Sequence, residues 1–122
     1  MTETVKGFLI DPFSKTVTSV EVEKQNSTTL KSLYNLIECQ RVDCVAIDDK
    51  NDVWVDDEGL FVEGQMFFQL PTGNLLAGKG VVMGCNLSGA PVDTTADLEE
   101  LRKEIKFYNR GQAARVAEEM GL

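Results

Sequence analysis

The sequence predicts an α+β fold: a largely antiparallel sheet of about five to six strands, one helix after the second strand and helices at the C-terminus. Three observations carry this. Short apolar runs alternate with turn-forming clusters such as Asp11-Pro12, Asp49-Lys50-Asn51 and Pro71-Thr72-Gly73-Asn74. Two segments have helical period: Leu30, Leu33, Tyr34, Ile37 and Leu98, Leu101, Ile105, Tyr108. The connections between apolar runs are short, as hairpins require. One domain over residues 1–122 is expected, with an α+β core over 4–90 and a helical segment over 94–122.

Residues 4–11 and 16–23 read as a pair of strands. Val20 and Val22 alternate with Glu21 and Glu23, the period of a strand with one wet face. The Asp11-Pro12 break and the short link to Lys15 suit a hairpin. The first helix takes Ser27, Thr28 or Thr29 as its N-cap and ends near Glu38. Tyr34 lies on its apolar stripe, which favours a packing role over a binding one.

Residues 41–48 form a third strand, and Val53-Trp54-Val55 a short fourth after a polar turn. Asp56-Asp57-Glu58-Gly59 is a second turn, with Gly59 able to take positive φ. Leu60-Phe61-Val62 then resumes extended structure. Residues 66–70 suit a strand or a short buried helical turn, which period does not separate. Residues 80–87 read as a buried strand whose glycines mark a bulge or a close backbone approach. Ser88-Gly89-Ala90-Pro91 is a turn.

Thr94 or Thr95 caps a helix through about Tyr108, with Asp97, Glu99 and Glu100 favoured in its first turn by the helix dipole. Glu99 and Lys103 are spaced to pair, and Asn109-Arg110-Gly111 stops the helix. Residues 112–120 form another short helix, with Ala113, Val116, Ala117 and Met120 on the side that docks on the domain or on a partner.

Composition excludes several functions. Histidine is absent, which removes Ser-His-Asp, Cys-His and His-based zinc chemistry. The three cysteines, an odd number without a Cys-x-x-Cys pair, read as free thiols, with Cys44 and Cys85 as small core residues. Net charge is −8 and the twelve basic residues are scattered, so direct nucleic-acid binding through phosphates is not expected. No apolar run reaches the roughly 20 residues of a membrane span. The first residues show no basic-then-apolar leader, which gives the expectation of a cytoplasmic protein.

Nearly all of the net charge lies in residues 43–63, which hold eight carboxylates and one lysine. Their spacing does not fit a calcium loop, and no metal, cofactor or catalytic residue is assigned. Trp54 faces away from Val53 and Val55, placing it on the surface or, as is favoured, under the C-terminal helix. The partner-binding candidates are Asp48, Asp49, Asp52, Trp54, Asp56, Asp57 and Glu58.

A second candidate is Gly73-Asn74-Leu75-Leu76-Ala77-Gly78-Lys79-Gly80. It meets the phosphate-loop pattern except at its last position, where Gly80 has no hydroxyl for a magnesium ion. A β-branched run follows instead of a helix, so nucleotide hydrolysis is not expected. What survives is an anion site at Gly78, Lys79 and Gly80, built from backbone donors and one cation.

Three passages together resemble a family of short bacteriophage and mobile-element proteins of unknown function. They are Leu33-Tyr34-Asn35-Leu36-Ile37-Glu38 through Val42-Asp43-Cys44-Val45-Ala46-Ile47, then Trp54-Val55-Asp56-Asp57-Glu58-Gly59-Leu60, then Leu76-Ala77-Gly78-Lys79-Gly80-Val81-Val82-Met83-Gly84. The likeness covers roughly residues 4–90. It implies a phage or prophage origin and carries no catalytic residue. The expected function is that of a non-enzymatic accessory protein in the bacterial cytoplasm. It would modulate a host protein with a basic surface, such as a defence or nucleic-acid-handling factor, through its acidic face. The alternative is a protein that sequesters a small anionic ligand, for instance a nucleotide signal, at the subunit interface of a homo-oligomer.

Overall fold

The computed structural model describes residues 3–24 and 26–121, the side chains of residues 26–28 excepted. Two strands, β1 (Thr4–Asp11) and β2 (Thr16–Glu23), form a hairpin paired from Thr4–Glu23 to Asp11–Thr16. Helix α1 (Asn26–Ile37) follows, then β3 (Val42–Ala46), β4 (Asn51–Asp56) and a 3-10 turn at Gly59–Phe61. Next come β5 (Met66–Gln69), β6 (Leu75–Ala77), β7 (Gly80–Cys85) and β8 (Pro91–Val92). The chain ends with α2 (Leu98–Glu104), β9 (Lys106–Asn109) and α3 (Arg110–Glu119).

The larger sheet has the order β2-β1-β7-β4-β3, with β8 on the end of β7, and a smaller sheet has the order β6-β5-β9. Every pairing is antiparallel. The α+β architecture expected from the sequence is the one observed, with two of its three helices near the C-terminus.

Strand β7 explains the layering. It is the central strand, and Val81, Val82 and Met83 are all buried, so both faces of the sheet must be covered. Val82 joins Phe8, Ile10, Val53 and Val55 under Phe68 of the smaller sheet, Leu101 of α2 and the flanking Leu70 and Ile105. Val81 and Met83 join Val5 and Val22 on the opposite face, under Leu33 and Ile37 of α1. Close approach explains Gly80: a Cβ there would lie 2.8 Å from Cζ of Phe68.

Several elements depart from expectation. The helix expected through Tyr108 ends at Glu104, and residues 106–109 become a strand on β5. Phe107 lies opposite Phe68 and packs on the core, and the Tyr108 hydroxyl donates to Gln69 Oε1 at 3.1 Å. Tertiary pairing of aromatic residues outweighs a helical spacing that Ile105 and Tyr108 met by coincidence. Asn109 is an N-cap: it forms a capping box with Gln112 and starts α3, which docks on the domain through Ala113.

Helix α2 is capped by Asp97, whose carboxylate accepts from the Glu100 N–H at 3.0 Å, and not by Thr94 or Thr95. Glu99 pairs with Arg102 at 2.8 Å, one turn position short of Lys103. Helix α1 already runs from Asn26, so Thr29 lies within its first turn, and the capping expected of Ser27 or Thr28 lies outside the described side chains. The Thr29 hydroxyl donates to the Glu23 carbonyl, tying the helix to β2.

Leu60-Phe61-Val62 is not a strand, because the 3-10 turn carries the chain out of the sheet. Gly59 has no positive φ; a Cβ there would come 2.9 Å from the Ala77 carbonyl, so it is glycine for lack of room. Cys44 is exposed and not a core residue. It lies on the edge strand β3. Trp54 does face away from Val53 and Val55, but it packs under α1 and not under the C-terminal helix.

Candidate functional site

The acidic stretch folds as β3, a turn, β4 and a second turn, so its carboxylates collect at the two ends of a six-residue strand about 17 Å long. At the first end Asp48 is consumed by structure. Its Oδ1 accepts from the N–H groups of Lys50 and Asn51, both at 2.8 Å. The Asn51 amide nitrogen donates to both Asp48 oxygens at 3.1 Å and to the Thr95 hydroxyl at 2.8 Å. Asn51 Oδ1 accepts from the Thr94 hydroxyl at 2.7 Å and the Thr95 N–H at 3.1 Å. Asn51 is only 1% exposed, so these bonds satisfy a buried amide fully. Desolvation pushes the Asp48 carboxyl up, but the hydrogen bonds from Lys50 and Asn51, with the Lys50 charge, outweigh it and hold it below the usual carboxylate range. Asp49 is exposed in the same turn.

At the second end Asp57 and Glu58 face solvent and Asp56 is half-buried. Asp56 Oδ1 accepts from the Glu58 N–H at 2.9 Å, and the Asp57 N–H donates to the Arg41 carbonyl at 3.0 Å. Asp57 and Glu58 are exposed. The turn that follows presents Leu60, Phe61 and Val62, with Phe61 84% exposed. This turn is held in place. Arg110 donates to the carbonyls of Leu60 at 3.1 Å and Val62 at 2.9 Å, and its guanidinium lies over Phe67. Buried Gln65 donates to the Gly59 carbonyl at 2.7 Å. A fixed apolar triplet thus stands beside three carboxylates.

The Gly78-Lys79-Gly80 segment reaches the same end. Gly78 and Lys79 share a cavity of about 130 Å³ with Asp56, Glu38, Val62 and the half-exposed Phe13. Lys79 Nζ is 2.7 Å from Glu38 Oε2, the Gly78 N–H donates to the Met66 carbonyl at 2.8 Å, and Gly80 is buried in β7 between β1 and β4. The cation and the Gly78 donor are therefore engaged within the protein, and a second carboxylate faces the pocket. Such a site is poorly suited to an anion.

Asp52 and Trp54 lie apart from both ends, on the α1 face of β4, where they line a separate cavity. The structure therefore divides the sequence-predicted set into three: Asp48 and Asp49 in one turn, Asp52 and Trp54 under α1, and Asp56, Asp57 and Glu58 beside the apolar triplet. Phe61, Leu60 and Phe13 were not among the predicted site residues. The only signal for Leu60 and Phe61 was an apolar triplet without a partner run after Gly59, and Phe13 had none. Among the described residues, no group of three or more His, Cys, Asp or Glu side chains is placed to hold a metal ion, and no helix is long and apolar enough to cross a membrane.

A family profile described as "Domain of unknown function (DUF3846)" matches residues 5–106, from β1 to the start of β9. The chain belongs to this family. Its match takes in α2 as well as the strands, so Leu101 and Ile105 of the core lie inside the family domain. The family carries no assigned activity, which agrees with the kind of family expected from the sequence. No curated protein and no solved structure shows a significant match.

Proposed function

We propose that this protein is a non-enzymatic binding module that engages a basic protein surface through the Asp56–Val62 end of β4. The observation that carries this reading is the rigid presentation of Leu60, Phe61 and Val62 beside Asp56, Asp57 and Glu58. Exposed apolar groups rimmed by charge are the anatomy of an interface. The carboxylates steer a Lys/Arg-rich partner into place, and Phe61 supplies the contact that holds it. In keeping with the sequence resemblance, the setting is the cytoplasm of a phage-infected or prophage-bearing bacterium, and the partner is a host protein of defence or nucleic-acid handling.

The second reading places a small anionic ligand at Gly78, Lys79 and Gly80. It requires Lys79 to exchange Glu38 for the ligand while Asp56 faces the same pocket. The acidic-face reading needs no such exchange and is preferred.

The test is recovery of the tagged protein from its bacterial host, with the retained protein quantified by mass spectrometry across a salt series. Wild type should hold one host protein at low salt and release it at high salt. Phe61→Ser should weaken retention roughly 30-fold, the size of a hot-spot loss. The triple change Asp56→Asn, Asp57→Asn, Glu58→Gln should weaken it and flatten the salt dependence. Retention unchanged in both variants overturns the reading.

A further inference from the structure

The cavity between α1 and the larger sheet has no role in the surface described above. It is a cleft half open to solvent, of about 260 Å³, with walls that include Leu30, Leu33, Met83 and Pro91, and with Trp54 and Asp52 side by side on β4. We propose that this cavity binds a compact organic cation, an amine or amidinium carried on an apolar or aromatic body.

Two observations support this assignment. Among the described residues Asp52 is the only charged one in the lining. Neither its carboxylate nor the Trp54 indole N–H is engaged by a hydrogen bond or ion pair with another described residue. A purely apolar occupant would strip water from Asp52 and give nothing back, and an anion would be repelled by it. A cation pairs with the carboxylate and lies against the indole face, while its apolar body covers Leu33 and Met83.

Among the described residues the lining holds no Lys or Arg. The Cys44 thiol, on the neighbouring strand opposite Trp54, is held above its usual range by desolvation first and then by the Asp52 and Asp43 carboxylates. Size narrows the class. The cavity falls just below the roughly 300–1,000 Å³ of clefts that take drug-sized ligands, so its occupant is a single ring or a short chain bearing the charge. The inference is independent of the partner surface at Asp56–Val62.

Trp54 is the sole tryptophan, so its fluorescence reports this cavity directly. Three probes of similar size separate the possibilities: phenethylamine, phenethyl alcohol and phenylacetate. Phenethylamine should change Trp54 emission saturably and bind about tenfold or more tighter than the alcohol, the worth of one charge-assisted contact, and phenylacetate should give no saturable change. Asp52→Asn should bring the amine down to the alcohol. Glu118→Gln, which removes the same charge from an exposed site on α3, should leave the preference intact. The proposal is overturned by equal affinity for amine and alcohol in the wild type, by an amine preference that survives Asp52→Asn, or by no saturable response to any probe.

Discussion

At one end of β4 an acidic turn is hydrogen-bonded to the buried Asn51, and at the other an acidic turn stands beside exposed apolar side chains. Both use the same local device, an aspartate oxygen that accepts from the N–H two residues on: Asp48 from Lys50 and Asp56 from Glu58. The difference comes from distant residues. Asn51 bonds to both oxygens of the exposed Asp48 carboxylate and is itself tied to Thr94 and Thr95. The second turn is followed by a loop that Arg110 and Gln65 pin with its apolar side chains outward. Charge in a turn is thus neutral as a functional signal. What tells the two apart is whether a buried side chain hydrogen-bonds the carboxylate and whether apolar groups stand exposed beside it.

The largest effect is expected at the closed end. Asn51→Ala removes every bond that links the β3–β4 turn to Thr94 and Thr95, and leaves a void at a position only 1% exposed. Urea unfolding should show a loss of about 3 kcal/mol. A loss no larger than that of a surface substitution would mean that the network follows the fold without supporting it, and the contrast between the two turns would fail.

Asp48→Asn tests the same end through charge. It keeps the shape but weakens the hydrogen bonds from Lys50 and Asn51, for an expected cost of roughly 1 kcal/mol near neutral pH. The folded-state value of Asp48 is depressed, so its contribution is fully present above the ordinary carboxylate range. It is lost as pH falls through the depressed value, where the folded state must also take up the proton. Stability of the wild type should therefore drop on acidification, and Asp48→Asn should flatten that part of the curve. A pH profile parallel to the wild type would show that Asp48 carries no linkage.

How much was legible in the sequence follows the range of the interactions involved. Strands β1, β2 and β7 and helix α1 were readable because Val20 and Val22, Val81 to Met83, and Leu33 and Ile37 are patterned over neighbouring residues. Strand β9 was not, because its state depends on pairing with β5 some forty residues earlier, and Ile105 and Tyr108 imitate helical spacing. Thr94 and Thr95 suited an N-cap on local grounds, yet both are taken by Asn51. The acidic character of the site was visible at once, whereas the exposure of Phe61 depends on contacts from Gln65 and Arg110. Gly78-Lys79-Gly80 resembled a phosphate loop locally, and only the positions of Glu38 and Met66 show that its lysine and the Gly78 N–H are engaged.

The smallest expected effect on stability is the most informative about the open end. Phe61 is 84% exposed, and the hydrogen bonds that fix its turn run through backbone carbonyls of Leu60 and Val62, not through its ring. Phe61→Ser should therefore change unfolding free energy by no more than about 0.5 kcal/mol, since surface substitutions away from packing sites fall in that range. A large aromatic side chain that adds almost nothing to the fold is held out against the hydrophobic effect by a buried glutamine and an arginine. If Phe61→Ser instead destabilises by 2 kcal/mol or more, the ring packs on the domain in solution. The apolar triplet would then be part of the core, and the two turns would both be structural.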